Sequence, residues 1–185
     1  MSETVLFKAP WGKLLTTVTV LTSVLLLGIV CLGWFAGPGQ IKPTLSPDRI
    51  FWLLAMVGLP LLLVLSTGIY AVRGYRIEGS VLYIQRVGWQ NRIDLTALHR
   101  AESEPAALDT AVRLWGNGGF FSFTGWFRSQ QHGRFQVFGT DPSKGVMLTF
   151  PERKVFITPD DPQHFIAIAQ AASHTGLPSP TEPDA

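Results

Sequence analysis

LLTTVTVLTSVLLLGIVCLGWF (Leu14 to Phe35) and IFWLLAMVGLPLLLVLSTGIYAV (Ile50 to Val72) set the organisation of this 185-residue chain. They run for 22 and 23 residues without one Asp, Glu, Lys, Arg or His. At ~1.5 Å per residue either helix reaches ~33 Å, close to a hydrocarbon core of ~30 Å. A backbone in hydrocarbon must satisfy its own hydrogen bonds, so each stretch is expected to be a helix. Length and purity argue against a pair of buried helices in a soluble protein. A cleaved signal peptide is the other rival for the first stretch, because Lys8 and Lys13 resemble a basic leader. A signal core runs only ~7–15 residues, however. Neither Trp34-Phe35-Ala36 nor Gly28-Ile29-Val30-Cys31 offers the small residues that cleavage requires. The reading is therefore a segment 1–13, a first span 14–35, a loop 36–49 and a second span 50–72.

Lys8, Lys13, Arg73 and Arg76 flank the outer ends of the pair, while the loop carries Lys42 and Arg49 beside Asp48. The basic excess predicts a multi-pass protein of the inner (plasma) membrane with both termini cytoplasmic. Trp11, Trp34, Trp52, Tyr70 and Tyr75 lie near the expected interfaces, where amphipathic rings favour the headgroup boundary. Thr and Ser in the first span, and Gly58, Ser66, Thr67 and Gly68 in the second, permit close helix approach. Pro60 is expected to bend the second helix. Ion or proton pathways normally need ionisable groups at membrane depth, and these spans contain none. The pair reads as an anchor. The lone cysteine, Cys31, lies within it and allows no intramolecular disulfide.

From Arg73 onward the chain holds eleven Lys+Arg and eleven Asp+Glu, so the net charge of +2 arises in the first 72 residues. That balance argues against a nucleic-acid surface. Short alternating segments punctuated by Gly predict antiparallel strands. Gly74 to Glu78, Val81 to Val87 and Gln90 to Leu95 form a meander, with Gly79-Ser80 as a two-residue turn. Further strands are read at Leu98 to Glu102, Ala111 to Trp115, Gly133 to Gly139, Gly145 to Phe150 and Lys154 to Thr158. Asp141-Pro142-Ser143-Lys144-Gly145 is turn chemistry between two of them. Asp161 suits an N-cap and Pro162 the first helical position. Phe165, Ile168, Ala169 and Ala172 then mark one helical face, and Gly176 ends the helix. Pro178 to Ala185 is expected to be disordered.

Two spans followed by this strand order and one closing helix resemble bacterial membrane proteins with a pleckstrin-homology (PH)-like domain. The matching stretches are Tyr75-Arg76-Ile77-Glu78-Gly79, Ile93-Asp94-Leu95, Arg113-Leu114-Trp115-Gly116 and, most specifically, Ile157-Thr158-Pro159-Asp160-Asp161-Pro162-Gln163-His164-Phe165. The resemblance implies an α+β fold over 73–177: a bent antiparallel sheet or partial barrel of about seven strands, closed by the C-terminal helix. Its motifs are structural, so it carries over no ligand, cofactor or catalytic residue.

The residues themselves point the same way. His99, His132, His164 and His174 are scattered without ligand spacing. Asp160 and Asp161 read as a helix cap. Gly116-Asn117-Gly118-Gly119 lacks the Lys-Ser/Thr and helix of a phosphate loop. No enzyme is expected, and neither metal nor cofactor. Arg86 and Arg92 are superficially like a phosphoinositide-binding pair, but no dense basic cluster surrounds them. One stretch stands out: Gly116 to Phe127, followed by Arg128, is rich in both glycine and aromatic residues. One reading makes it a long connection whose rings plug an open barrel end. The other has Phe120, Phe121, Phe123, Trp126, Phe127 and Arg128 contact the membrane or a partner, with Arg73 and Arg76 facing anionic headgroups.

The sequence thus predicts a non-enzymatic integral membrane protein whose cytoplasmic PH-like module binds a protein or peptide partner, by strand addition beside the terminal helix. A lipid- or envelope-stress-sensing module and an accessory subunit of a membrane transport complex are the alternatives. A homo-oligomer stays open.

Overall fold

The computed structural model describes residues 4–36 and 47–175. The elements run β1 (Thr4–Lys8), α1 (Lys13–Ala36), α2 (Pro47–Leu53), a π-helical turn (Leu54–Gly58), α3 (Leu59–Ile69), β2 (Val72–Glu78), β3 (Val81–Arg86), β4 (Gln90–Asp94), β5 (Arg100–Ser103), β6 (Val112–Gly118), β7 (Phe123–Ser129), β8 (Gly133–Gly139), a 3-10 turn (Pro142–Lys144), β9 (Val146–Thr149), β10 (Lys154–Ile157) and α4 (Pro162–Thr175). Gly176, the 178–185 tail and Lys42 lie outside the described residues.

Two sheets replace the expected partial barrel of about seven strands. One has the order β1-β2-β3-β4, the other β5-β9-β10-β8-β7-β6, and the described strands close no barrel. All pairings are antiparallel except β8 with β10. The meander β2–β4 forms where alternation places it, with Gly79 at φ 57° in the two-residue turn. Two strands were not read from the sequence. β1 comes from the segment before the first span and pairs antiparallel with β2, Phe7 opposite Tyr75. β7 comes from the aromatic stretch, which is one arm of a hairpin with β6.

The larger sheet is covered on both faces, which explains the continuous apolar runs Val146-Met147-Leu148 and Val155-Phe156-Ile157. On one face Phe138, Val146, Leu148, Val155 and Ile157 pack with Tyr75, Ile77, Leu82 and Ile84 of the smaller sheet and Phe165 of α4. On the other, Phe123, Phe127, Phe135, Val137, Met147 and Phe156 pack with Leu15 of α1. Helix α4 starts as its sequence dictates: Asp161 Oδ1 accepts from the His164 amide at 3.0 Å, and Phe165, Ala169 and Ala172 are buried. The 3-10 turn is likewise held by Asp141, which accepts from the Ser143 amide and hydroxyl at 3.2 and 2.7 Å.

A buried phenol joins the two sheets. Tyr75 Oη donates to the Phe138 carbonyl at 2.7 Å and accepts from the Thr158 amide at 3.1 Å. Burial pushes its pKa from 10.0 up to about 12, against the opposing pull of its hydrogen bonds to Thr158 and of Arg86. Tyr75→Phe leaves two buried backbone groups short of a partner and should cost about 1–3 kcal/mol in thermal unfolding of the detergent-solubilised chain. The phenol's contribution is full below its ordinary pKa of 10.0 and fades as the pH rises toward about 12, because the unfolded chain ionises first. The stability gap between wild type and Tyr75→Phe should therefore narrow across that interval.

Candidate functional site at the helix–sheet junction

The two apolar helices are fastened to the sheets at one end and to each other at the far end. Lys13–Phe35 and Ile50–Ile69 are long and apolar enough to cross a membrane. Nevertheless, the first turns of α1 are packed against the domain. Leu15 is fully buried in the second core, and Thr19 Oγ1 accepts from the Phe121 amide at 3.1 Å while donating to the Gly119 carbonyl at 3.5 Å. Trp11 meets the Phe121 ring edge-on at 6.0 Å. At the end of α3, the Tyr70 carbonyl accepts from Arg86 Nη1 at 2.8 Å and from Ser122 Oγ at 3.5 Å. A helix C-terminus presents unsatisfied carbonyls and partial negative charge, so a guanidinium suits it.

At the far end, Trp52 Nε1 donates to the Gly33 carbonyl at 3.0 Å, one of the orphan acceptors in the last turn of α1. A Cβ on Gly33 would lie 2.5 Å from the Met56 Cβ, so glycine is what lets the helices touch. Pro60 has no amide hydrogen, and its ring crowds the carbonyl four residues back. The π turn just before it resolves the conflict, with the Leu59 amide bonded to the Leu54 carbonyl.

The predicted contact residues separate by face. In the β6–β7 hairpin, Phe120, Phe123 and Phe127 are buried, the last two in the second core beneath Leu15. Phe121 sits at the tip with φ 63°, its ring tilted against that of Phe120 with centroids 4.6 Å apart. Trp126 lies under the Arg134 guanidinium at 4.3 Å, and Arg128 is exposed between Val112 and Arg134. The glycines that hide the strand pattern are structural. Gly116 and Gly125 face each other at positive φ, and a Cβ on either would meet the opposite backbone at 2.2 or 2.1 Å. Asn117 closes the turn, accepting from the Phe120 amide at 3.0 Å and donating to its carbonyl.

Beyond these, β6 forms the edge of the larger sheet, and Val112, Leu114 and Trp115 are 67%, 50% and 79% exposed. Between β6–β7 and α3 lies a mostly apolar cleft of about 330 Å³ lined by Ser66, Thr67, Tyr70, Trp115, Asn117 and Thr124. Ser66 and Thr67 turn their hydroxyls back to the Leu63 carbonyl, at 3.0 and 2.7 Å.

The expected arginine pairs divide as well. Arg73 is exposed at the junction, whereas Arg76 lies over the Tyr83 ring at 4.7 Å and pairs with Glu78 at 3.8 Å. Arg92 stands opposite Tyr83 on the outer face of the smaller sheet, while Arg86 follows Leu82 and Ile84 inward. Burial pulls the Arg86 pKa below its ordinary value, with Tyr70 and Tyr75 acting the other way. The signal for Arg86 was its parity in an inward-facing register. The sheet edge next to the terminal helix is β5, where Gln170 Nε2 donates to the Ala101 carbonyl at 3.5 Å.

Two facing sheets with a C-terminal helix define an α+β domain of the PH-like kind. A family profile for the bacterial PH domain matches residues 73–172, more than half of the chain, and the chain belongs to that family. Such domains are generally non-catalytic binding modules. No curated protein and no solved structure matches the chain.

Leu15 and Leu25 test the docking of α1, since hydropathy treats them alike. Leu15 is buried and Leu25 exposed. Leu15→Ala should cost about 2–5 kcal/mol in unfolding of the detergent-solubilised chain, and Leu25→Ala almost nothing.

Proposed function

We propose that this chain is a non-enzymatic integral membrane protein that holds its PH-like module against the cytoplasmic face of the inner membrane and binds a protein or peptide partner along the edge of β6. In this reading α1 and the α2–α3 helix cross the bilayer as a hairpin, flanked on the domain side by Lys8, Lys13, Arg73 and Arg76. The observation that carries it is β6 itself: seven residues long, unpaired on one side among the described strands, with three large apolar side chains exposed. A long apolar edge left bare in water invites strand addition or aggregation, and patches of this kind mark contact surfaces. The β5 edge suits this role less, being four residues long and already touched by Gln170.

A lipid-contacting role for the same hairpin is the second reading, favoured by the place of Trp115 beside Ser66, Thr67 and Tyr70 at the end of the second apolar helix. A photo-crosslinking amino acid at position 115, introduced in living cells, separates the two. Cross-links to a discrete protein, absent from a control at exposed Arg92, are expected. Adducts to phospholipid alone would favour the second reading, and labelling no different from position 92 would sink both. Reporters fused to the two termini should both read as cytoplasmic, and an external C-terminus would reverse the orientation.

A further inference from the structure

We propose that the strand added beside β6 is an acidic segment of another protein, recognised by Arg128 and Arg134. The proposal rests on the edge reading above and names the chemistry of its partner. From Val112 to Thr140 the chain contains three arginines and not one Asp or Glu. Arg113, Arg128 and Arg134 enter no ion pair among the described residues. Arg128 and Arg134 are both exposed and stand directly opposite each other on β7 and β8. Like charges directly opposite on neighbouring strands repel, and no carboxylate among the described residues offsets that repulsion. Arg134 lies over the Trp126 ring at 4.3 Å, which orients its charge without neutralising it.

Strand register carries these charges toward the free edge. Val112 pairs with Arg128 and Arg128 with Arg134, so the three form one row on one face. Trp115, Trp126 and Gln136 form the next row. The register shift between Arg113 and Trp115 brings Val112 and Trp115, both exposed, to that same face. A strand added beside β6 extends both rows. Its residue opposite Val112 stands two strand spacings, about 10 Å, from Arg128, a span that a guanidinium and a carboxylate close together. Its next residue on that face meets Trp115, where an apolar side chain is buried. The partner therefore carries an acidic and an apolar residue at alternate positions. A second copy of β6 would bring Arg113 and no carboxylate, so this edge does not complement itself. Lipid fits less well. The hairpin is fastened to the apolar helices at its other end, Phe121 to Thr19 and Ser122 to Tyr70. Arg128 lies seven residues from Phe121, about 23 Å along an extended strand, whereas headgroups reach only about 5–8 Å beyond the hydrocarbon.

The test uses the full chain in a neutral detergent and three fluorescent peptides, with binding followed by anisotropy. The peptides are repeats of Glu-Thr-Val-Thr, Gln-Thr-Val-Thr or Lys-Thr-Val-Thr. The Glu peptide is expected to bind about tenfold more tightly than the Gln peptide, the difference that one charge-assisted contact confers. The Lys peptide should bind more weakly than either. Arg128→Gln alters an exposed side chain, so it should keep Tm and lose the preference for Glu, while Arg128→Lys should retain most of it. Arg128→Glu combined with Arg134→Glu should reverse the order of the Glu and Lys peptides. A photo-crosslinking amino acid at position 115 should trap the Glu peptide. Binding of none of the peptides, or no trapping at position 115, would overturn the edge reading together with the proposal. Equal affinity for the Glu and Gln peptides, or a preference unmoved by the arginine variants, would overturn the acidic partner and leave the edge reading standing. Phospholipid adducts from a cross-linker at position 128 in phosphatidylglycerol nanodiscs would do the same, by giving the arginines to the bilayer.

Discussion

Hydrogen bonds between β1 and β2 close the chain around its two apolar helices, and most of the architecture depends on that closure. The five residues that end just before α1 pair with the strand that begins just after α3. Whatever the helices cross, they must cross it an even number of times, because the segments on either side meet in one ladder. The closure also reaches the terminal helix. Lys8 and Asp160 exchange two hydrogen bonds, Lys8 amide to Asp160 Oδ1 at 3.1 Å and Asp160 amide to Lys8 carbonyl at 3.0 Å. Phe7 places its ring 5.0 Å from that of Phe165. The structural unit therefore extends beyond residues 73–172, the part that defines the family. A fragment cut at Arg73 would lose Phe7 from one core and Leu15 from the other.

What the sequence disclosed follows from the range of the forces involved. The β2–β4 meander, the turn at Asp141 and the start of α4 were legible because each is decided by neighbours a few residues apart. β1 was not legible, because its five residues resemble the lead-in to a span and its partner lies some seventy positions away. β7 was masked differently. Gly125 interrupts the alternation where the chain needs backbone-to-backbone proximity with Gly116, so the feature that builds the hairpin also erases its strand signature. Hydropathy was blind to Leu15 as well. A leucine facing protein and one facing lipid look alike on any transfer scale, and only the position of Phe123, Phe127 and Phe135 tells them apart.

The same blindness affected charge. Eleven basic and eleven acidic residues after position 72 average to neutrality, yet interactions between charges depend on local distance and dielectric. Arg76 is paired with Glu78, and Arg100 with Glu102 at 2.6 Å. Among the described residues, Arg86 meets only neutral acceptors and ring faces. Its parity with Leu82 and Ile84 turns it inward, and the carbonyl end of α3 gives it a reason to be there. The contact thus couples the second apolar helix to the end of β3 in the smaller sheet through one side chain.

Depth is the remaining consequence of how the helices are fastened. Thr19 lies six residues into α1, about 9 Å along its axis, and it holds the tip of the β6–β7 hairpin there. The apolar length of α1 beyond that level, Val20 to Phe35, is about 24 Å. The second helix offers about 30 Å over Ile50–Ile69. Without those contacts α1 would stand clear of the domain from Lys13 onward. Thr19 and Leu15 prevent that by committing two turns of α1 to protein contact. The hairpin must then lie alongside the last turn of α3, where Trp115 and Tyr70 face one cleft. Trp115 is thereby exposed beside the end of the second apolar helix, and the apolar edge it shares with Val112 and Leu114 would be a liability if it faced open water.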